Sequence, residues 1–134
     1  MIVTINRKLR RTADKLIKER PDLEYLRNSG VRFTVLSSDQ EKQKDRKLVL
    51  GECEKVPDKY KWKIPYDFLI YIYEPNCVDL SDKQREILLV HELRHIGIDL
   101  EGKEPRYFVY PHDVEEFWSI IDEFGLKWQV SASG

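Results

Sequence analysis

Apolar positions recur at two different spacings along the chain, and the change from one to the other marks the elements. Between residues 6 and 29 the reading is helical. Leu9, Ala13, Leu16 and Ile17 fall three and four apart on one stripe, with Asn6 placed to cap the run. Pro21 breaks this helix or starts a second short one through Leu23 and Leu26, closed by Asn28-Ser29-Gly30. Alternation then takes over. Val31–Leu36, Lys47–Lys55 and Asp67–Tyr73 read as three strands, the last the most β-prone and ended by Glu74-Pro75-Asn76. In the second strand Leu48, Leu50 and Glu52 share one face, with Val49, Gly51 and Cys53 on the other. The link from Val56 to Pro65 is basic and polar, with Trp62 its one large apolar anchor.

Helical spacing returns at Ser81. Ser81-Asp82-Lys83-Gln84 is a capping box, and Asp82 stands where the positive end of the helix dipole favours an anion. No Gly or Pro interrupts Gln84 to Ile96, and Gly97 is placed to end the run. Ile87-Leu88-Leu89-Val90 is apolar nearly all round, as a buried helix requires. A charged loop, Asp99 to Arg106, and Tyr107 to Pro111 lead to a further helix, His112 to Phe124. That helix carries Val114, Phe117, Trp118, Ile121 and Phe124 on one face and ends at Gly125; Lys127 to Val130 reads as a last short strand. Strands followed by a capped helix predict an α+β fold. Its expected parts are an N-terminal helix, a small sheet of three to four strands, a buried central helix and a C-terminal helix, within one domain over 1–134.

Composition narrows the function. The chain has 134 residues, 41% of them hydrophobic, enough for a single core. Charged residues make up 35% but nearly cancel, to a net charge of −1, which argues against a nucleic-acid coat or a membrane-surface binder. The exception is the first helix, with Arg7, Lys8, Arg10, Arg11, Lys15 and Lys18. Such a run is ordinarily a solvated face; contact with DNA or an acidic partner is the alternative. No apolar run approaches the roughly 20 residues of a membrane span, and the N-terminus lacks a signal core. Cys53 and Cys77 are isolated and fit free thiols in a reducing cytosol, so a cytoplasmic protein is expected.

The chemistry lies in His91-Glu92-Leu93-Arg94-His95. Four residues apart on a helix, His91 and His95 share a face and can share a metal ion, with Zn²⁺ the natural partner of two imidazoles. Glu92 sits on the same side and can reach a water on that ion without ligating it. A zinc site needs at least one more protein ligand, and His112, Asp113, Glu115, Glu116 and Asp99 are the candidates. A strict helical wheel turns His112 away from the Val114-Phe117-Ile121 stripe and brings Asp113 nearer to it; helix entry at Pro111-His112 weakens that argument. A carboxylate in a first turn is explained by the dipole alone, whereas an imidazole there is not, and His112 is preferred. Asp113 then becomes the carboxylate that receives a ligating imidazole's other N–H.

His91-Glu92-Leu93-Arg94-His95 followed by His112-Asp113-Val114-Glu115-Glu116-Phe117 resembles the phage metallopeptidases, small zincin-like proteins with a later His-Asp-Val-x-x-Phe segment. More distantly it is similar to the SprT-like zincins, without the cysteine zinc module that follows some of them. The resemblance implies a zincin-like minimal domain, a phage or prophage setting, His112 as third ligand and Glu92 as catalytic base. It also implies hydrolysis of a peptide or protein substrate. Tyr107 and Tyr110 are nearby candidates for a second electrophile at the oxyanion, although each also reads as a packing aromatic. An edge of the sheet, expected to be the third strand, could hold an extended substrate. The competing expectations are a catalytically silent zinc module associated with DNA or a protein, and a metal-free interaction domain. Arg94 has no role in this reading, and nothing indicates the oligomeric state.

Overall fold

The computed structural model describes residues 2–110. The expected C-terminal helix, the short strand after it, His112 and Asp113 lie outside them. A first strand, β1 (Val3–Ile5), precedes helix α1 (Arg7–Glu19). Asn6 caps α1 by accepting from the Leu9 N–H at 2.9 Å, and Leu9, Ala13 and Leu16 are its buried stripe. Pro21 follows the cap residue Arg20 and stops the α-helix; Pro21–Leu26 is a 3-10 helix instead. The turn beyond it uses left-handed backbone at Asn28 and Gly30, as Asn28-Ser29-Gly30 predicts.

The main sheet contains β1, β2 (Phe33–Ser38), β5 (Gly51–Lys55) and β6 (Phe68–Tyr73), in the order β1-β2-β6-β5. It is mixed: β2 and β6 run parallel, and β1 and β5 lie antiparallel outside them. Register places Phe33 beside Phe68, Val35 beside Ile70, and Gly51 and Cys53 beside Ile72 and Ile70. These positions share the face that packs on the helices, so Phe33, Val35, Phe68, Ile70 and Ile72 are all buried. β6 is therefore central. The expectation that the third predicted strand forms an edge is corrected: its alternate Phe68, Ile70 and Ile72 are buried, and it needs a neighbour on both sides. Among the described residues the edge on that side is β5, where charged Glu54 and Lys55 are exposed.

Three further differences have local causes. The predicted strand over Lys47–Lys55 is two, because Gln43–Lys44 (β3) and Lys47–Leu48 (β4) form a separate hairpin. Asp45 and Arg46, both at positive φ, make its turn. Trp62 is not an anchor but 82% exposed. The link is held instead by buried Val56 and by Lys61, whose ammonium lies 3.2 Å from the buried carboxylate of Asp67. The central helix, α2 (Asp82–Leu93), is shorter than predicted. Its Ser81–Gln84 capping box is present in both directions, at 3.1 and 2.8 Å, and Ile87 to Val90 are all buried. The chain leaves the helix after Arg94 because Ile96–Asp99 (β7) pairs with Arg106–Val109 (β8). Gly97 is thus a strand residue beneath the Phe108 ring, where an added Cβ would lie 2.4 Å from a ring carbon, and not a helix terminator.

α1 and α2 pack together over one face of the sheet, with Leu9, Leu16, Leu88, Leu89 and Leu93 in the shared core. Among the described residues no helix is long and apolar enough to cross a membrane.

Candidate metal centre

α2 brings His91 and Glu92 to the end of the buried helix, and the turn beyond it supplies His95. The last turn tightens, with the Arg94 N–H reaching Val90 O at 3.0 Å and the His95 N–H reaching Glu92 O at 3.1 Å. His95 therefore stands just outside the helix, yet the expected proximity survives. Its Nε2 is 3.4 Å from Nε2 of His91, and the two rings meet edge to face. A Glu92 oxygen lies 4.0 Å from His91 Nε2. One ligand atom from each of the three residues fits within 4.8 Å of the others, close enough to hold a metal ion.

Burial and hydrogen bonding fix this geometry. Glu92 and His95 are only 3% and 4% exposed, so both polar groups are held in place. His95 Nδ1 lies 2.5 Å from the carbonyl oxygen of Tyr110. A carbonyl only accepts, so Nδ1 carries a proton, and Nε2 is the nitrogen turned towards His91. The Tyr110 N–H returns a bond to His95 O at 2.7 Å, locking the residue from both sides. The acceptor for His95 is the Tyr110 backbone, while the Tyr110 ring stacks edge-on against Phe108. Asp113, the expected carboxylate acceptor for a ligating imidazole, lies outside the described residues. Tyr107 packs edge-on against Phe68, with the Lys61 ammonium 5.5 Å from its ring.

Two contributors were missed from the sequence. Tyr25, in the 3-10 segment after α1, donates its phenol to Ile96 O at 2.6 Å and ties that segment to the strand after His95. Burial, with Tyr110 and Cys53 nearby, pushes the phenol well above its ordinary range and keeps it a donor. Nothing in the local pattern distinguishes Tyr25 from an ordinary aromatic on a short helix. Gly51 is different, because an isolated glycine within a strand pattern signals close approach. Its missing side chain lets β5 lie against α2: an added Cβ would sit 2.8 Å from Tyr71 O and 3.5 Å from Glu92 Cγ. Cys53, two residues on, is close enough to Glu92 that the carboxylate adds to burial in raising its thiol pKa. We expect Gly51→Ala to force β5 off its neighbours and cost about 1–3 kcal/mol, read as a lower Tm. An unchanged Tm would mean that β5 has slack at this point.

Arg94 reaches the 3-10 segment. Its Nε is 3.9 Å from Asp22, which also makes a two-point pair with Arg20 at 2.9 and 3.0 Å. Between the two histidines it secures the helix end to the 3-10 segment.

Fold and site together define a small α+β protein with a His-Glu-His group of metal-binding type at the end of a capped, buried helix. The family model described as "Putative phage metallopeptidase" matches residues 2–133, and the chain belongs to that family. Comparison with curated proteins and with solved structures gave no match.

Proposed function

We infer that the protein is a zinc-dependent peptidase of the zincin type, with His91, His95 and His112 holding the metal and Glu92 acting as general base. The observation that carries this reading is the separation of the two Nε2 atoms, 3.4 Å. Two nitrogens each about 2.1 Å from one tetrahedral ion lie about 3.4 Å apart, so the pair fits zinc as it stands. Imidazole nitrogens also suit zinc better than they suit magnesium or calcium, which take oxygen. His112 is assigned from the sequence and the family pattern.

Bound there, zinc would supply an acidified water and a polarised carbonyl. The chain's own residues do the rest. Glu92, buried and 4.0 Å from the His91 imidazole, accepts the proton of the attacking water and passes it to the leaving amine. His95 is kept oriented by the Tyr110 carbonyl, and the Tyr25 phenol steadies the strand that follows. β5 is an edge strand that passes Glu92 at Gly51, so an extended peptide added along it would bring a backbone carbonyl towards the site.

The test is metal content of the purified protein by elemental mass spectrometry, beside the variant His91→Ala, His95→Ala, His112→Ala. Zinc near one per chain, lost in the variant, is expected. No zinc and no uptake on titration would reduce the chain to an interaction domain.

A further inference from the structure

The outer face of α1 is not used by the metal centre, and it breaks local rules of helix stability. Arg7, Lys8, Arg11, Lys15 and Lys18 are all exposed, and at 100° per residue they fall within an arc of about 100°. The arc lies opposite the buried stripe of Leu9, Ala13 and Leu16. Arg7 and Arg11, Lys8 and Arg11, Arg11 and Lys15, and Lys15 and Lys18 are like-charge pairs three or four apart, each of them destabilising. Arg7 and Lys8 also occupy the first turn, which holds no acid, against the helix dipole. Among the described residues no cation on this arc makes an ion pair, although Asp14 and Glu19 at its two margins stand four residues from Lys18 and Lys15; Asp14 is taken up by Arg10 at 2.5 Å. Local rules broken without a compensating contact mark a surface kept for something other than stability.

We propose that this face of α1 binds duplex DNA through its phosphates. The partner must be polyanionic, and the arc also says which kind. It carries no aromatic or aliphatic side chain, so it lacks the anchors that a protein interface uses at its centre. It likewise lacks the aromatic platforms on which single strands stack for most of their affinity. What remains is a straight row of charge on a rigid helix, roughly 16 Å from Arg7 to Lys18, matched to a rigid linear array of phosphates. Lys8 and Lys15 border a groove that Asp82, Glu86 and an Arg85–Glu74 ion pair also line, whereas Arg7, Arg11 and Lys18 stand clear of it. The duplex therefore lies mainly on Arg7, Arg11 and Lys18. Binding is independent of base sequence, and it does not rest on the peptidase reading.

The experiment is fluorescence anisotropy of a labelled 20-base-pair DNA duplex with the full chain, titrated across salt concentration. Log affinity should fall linearly with log salt at a slope of about −3 to −4, given about −0.9 per neutralised phosphate. Arg7→Gln, Arg11→Gln, Lys18→Gln together should weaken binding at least about tenfold at low salt and flatten the slope by about 2 to 3. These changes relieve repulsion within α1, so the variant folds, and its Tm checks that. Lys59→Gln, Lys63→Gln, Lys103→Gln removes the same charge elsewhere on the exposed surface and should leave affinity nearly unchanged. No binding at low salt, equal losses in the two triple variants, or tighter binding of the single strand of the same sequence would each overturn the proposal.

Discussion

Replacing Glu92 by Gln is expected to lower peptide hydrolysis by about 10²–10⁴-fold while leaving the metal content unchanged, the range set by loss of a positioned general base. Gln keeps the size of the side chain and its place beside Gly51, where β5 leaves room for it. It keeps the fold as well, because Glu92 is held in the last turn of α2 by the buried run from Ile87 to Val90 and by Leu93. What it loses is the ability to accept a proton near neutral pH. Metal retention is expected because both imidazoles remain, with their Nε2 atoms 3.4 Å apart. Measured together, activity and zinc content separate the possible roles. Activity lost with zinc retained assigns the base. Activity lost together with zinc makes Glu92 a ligand, and full activity with full zinc rejects it as the base.

The parts of this arrangement that were legible in the sequence are those set by local chemistry. Asn6, Ser81 and Gln84 cap where their side chains predict, because a free backbone N–H is satisfied by the nearest suitable oxygen. The His91–His95 pairing was legible for the same reason, since helical spacing alone brings residues four apart together. It survived even though His95 left the helix, because a tightened final turn changes the spacing little. What was not legible depends on pairing between distant segments. Ile96 and Gly97 look like the end and the stop of a helix until Arg106 to Val109 return beside them. Nothing near β6 announces that β2 and β5 lie on either side of it, and so the edge was misplaced. Tyr110 was read for its phenol, whereas its backbone makes the contact with His95. A backbone carbonyl carries no signature in its residue type.

Substituting His95 by Ala should remove zinc and also weaken the metal-free protein, two losses with separate causes. The first follows because one of two imidazoles set for a shared ion is gone, and the binding free energy of a structural metal adds directly to folding. The second follows from the closed pair of bonds between His95 and Tyr110, at 2.5 Å through the ring and 2.7 Å through the backbone. Deleting the ring removes the donor for the Tyr110 carbonyl and opens a gap at a position only 4% exposed. The lost hydrogen bond and the gap left by the ring together cost about 1–3 kcal/mol, whatever the metal contributes. Thermal unfolding after chelation separates the two effects. Wild type stripped of metal should still melt above His95→Ala, by the amount that the ring bond supplies. Identical melting of the stripped proteins would mean that the imidazole acts only on the ion. A stripped wild type melting as high as the untreated protein would mean that the metal adds nothing to folding, and that the site is held by the Tyr110 and Tyr25 bonds alone.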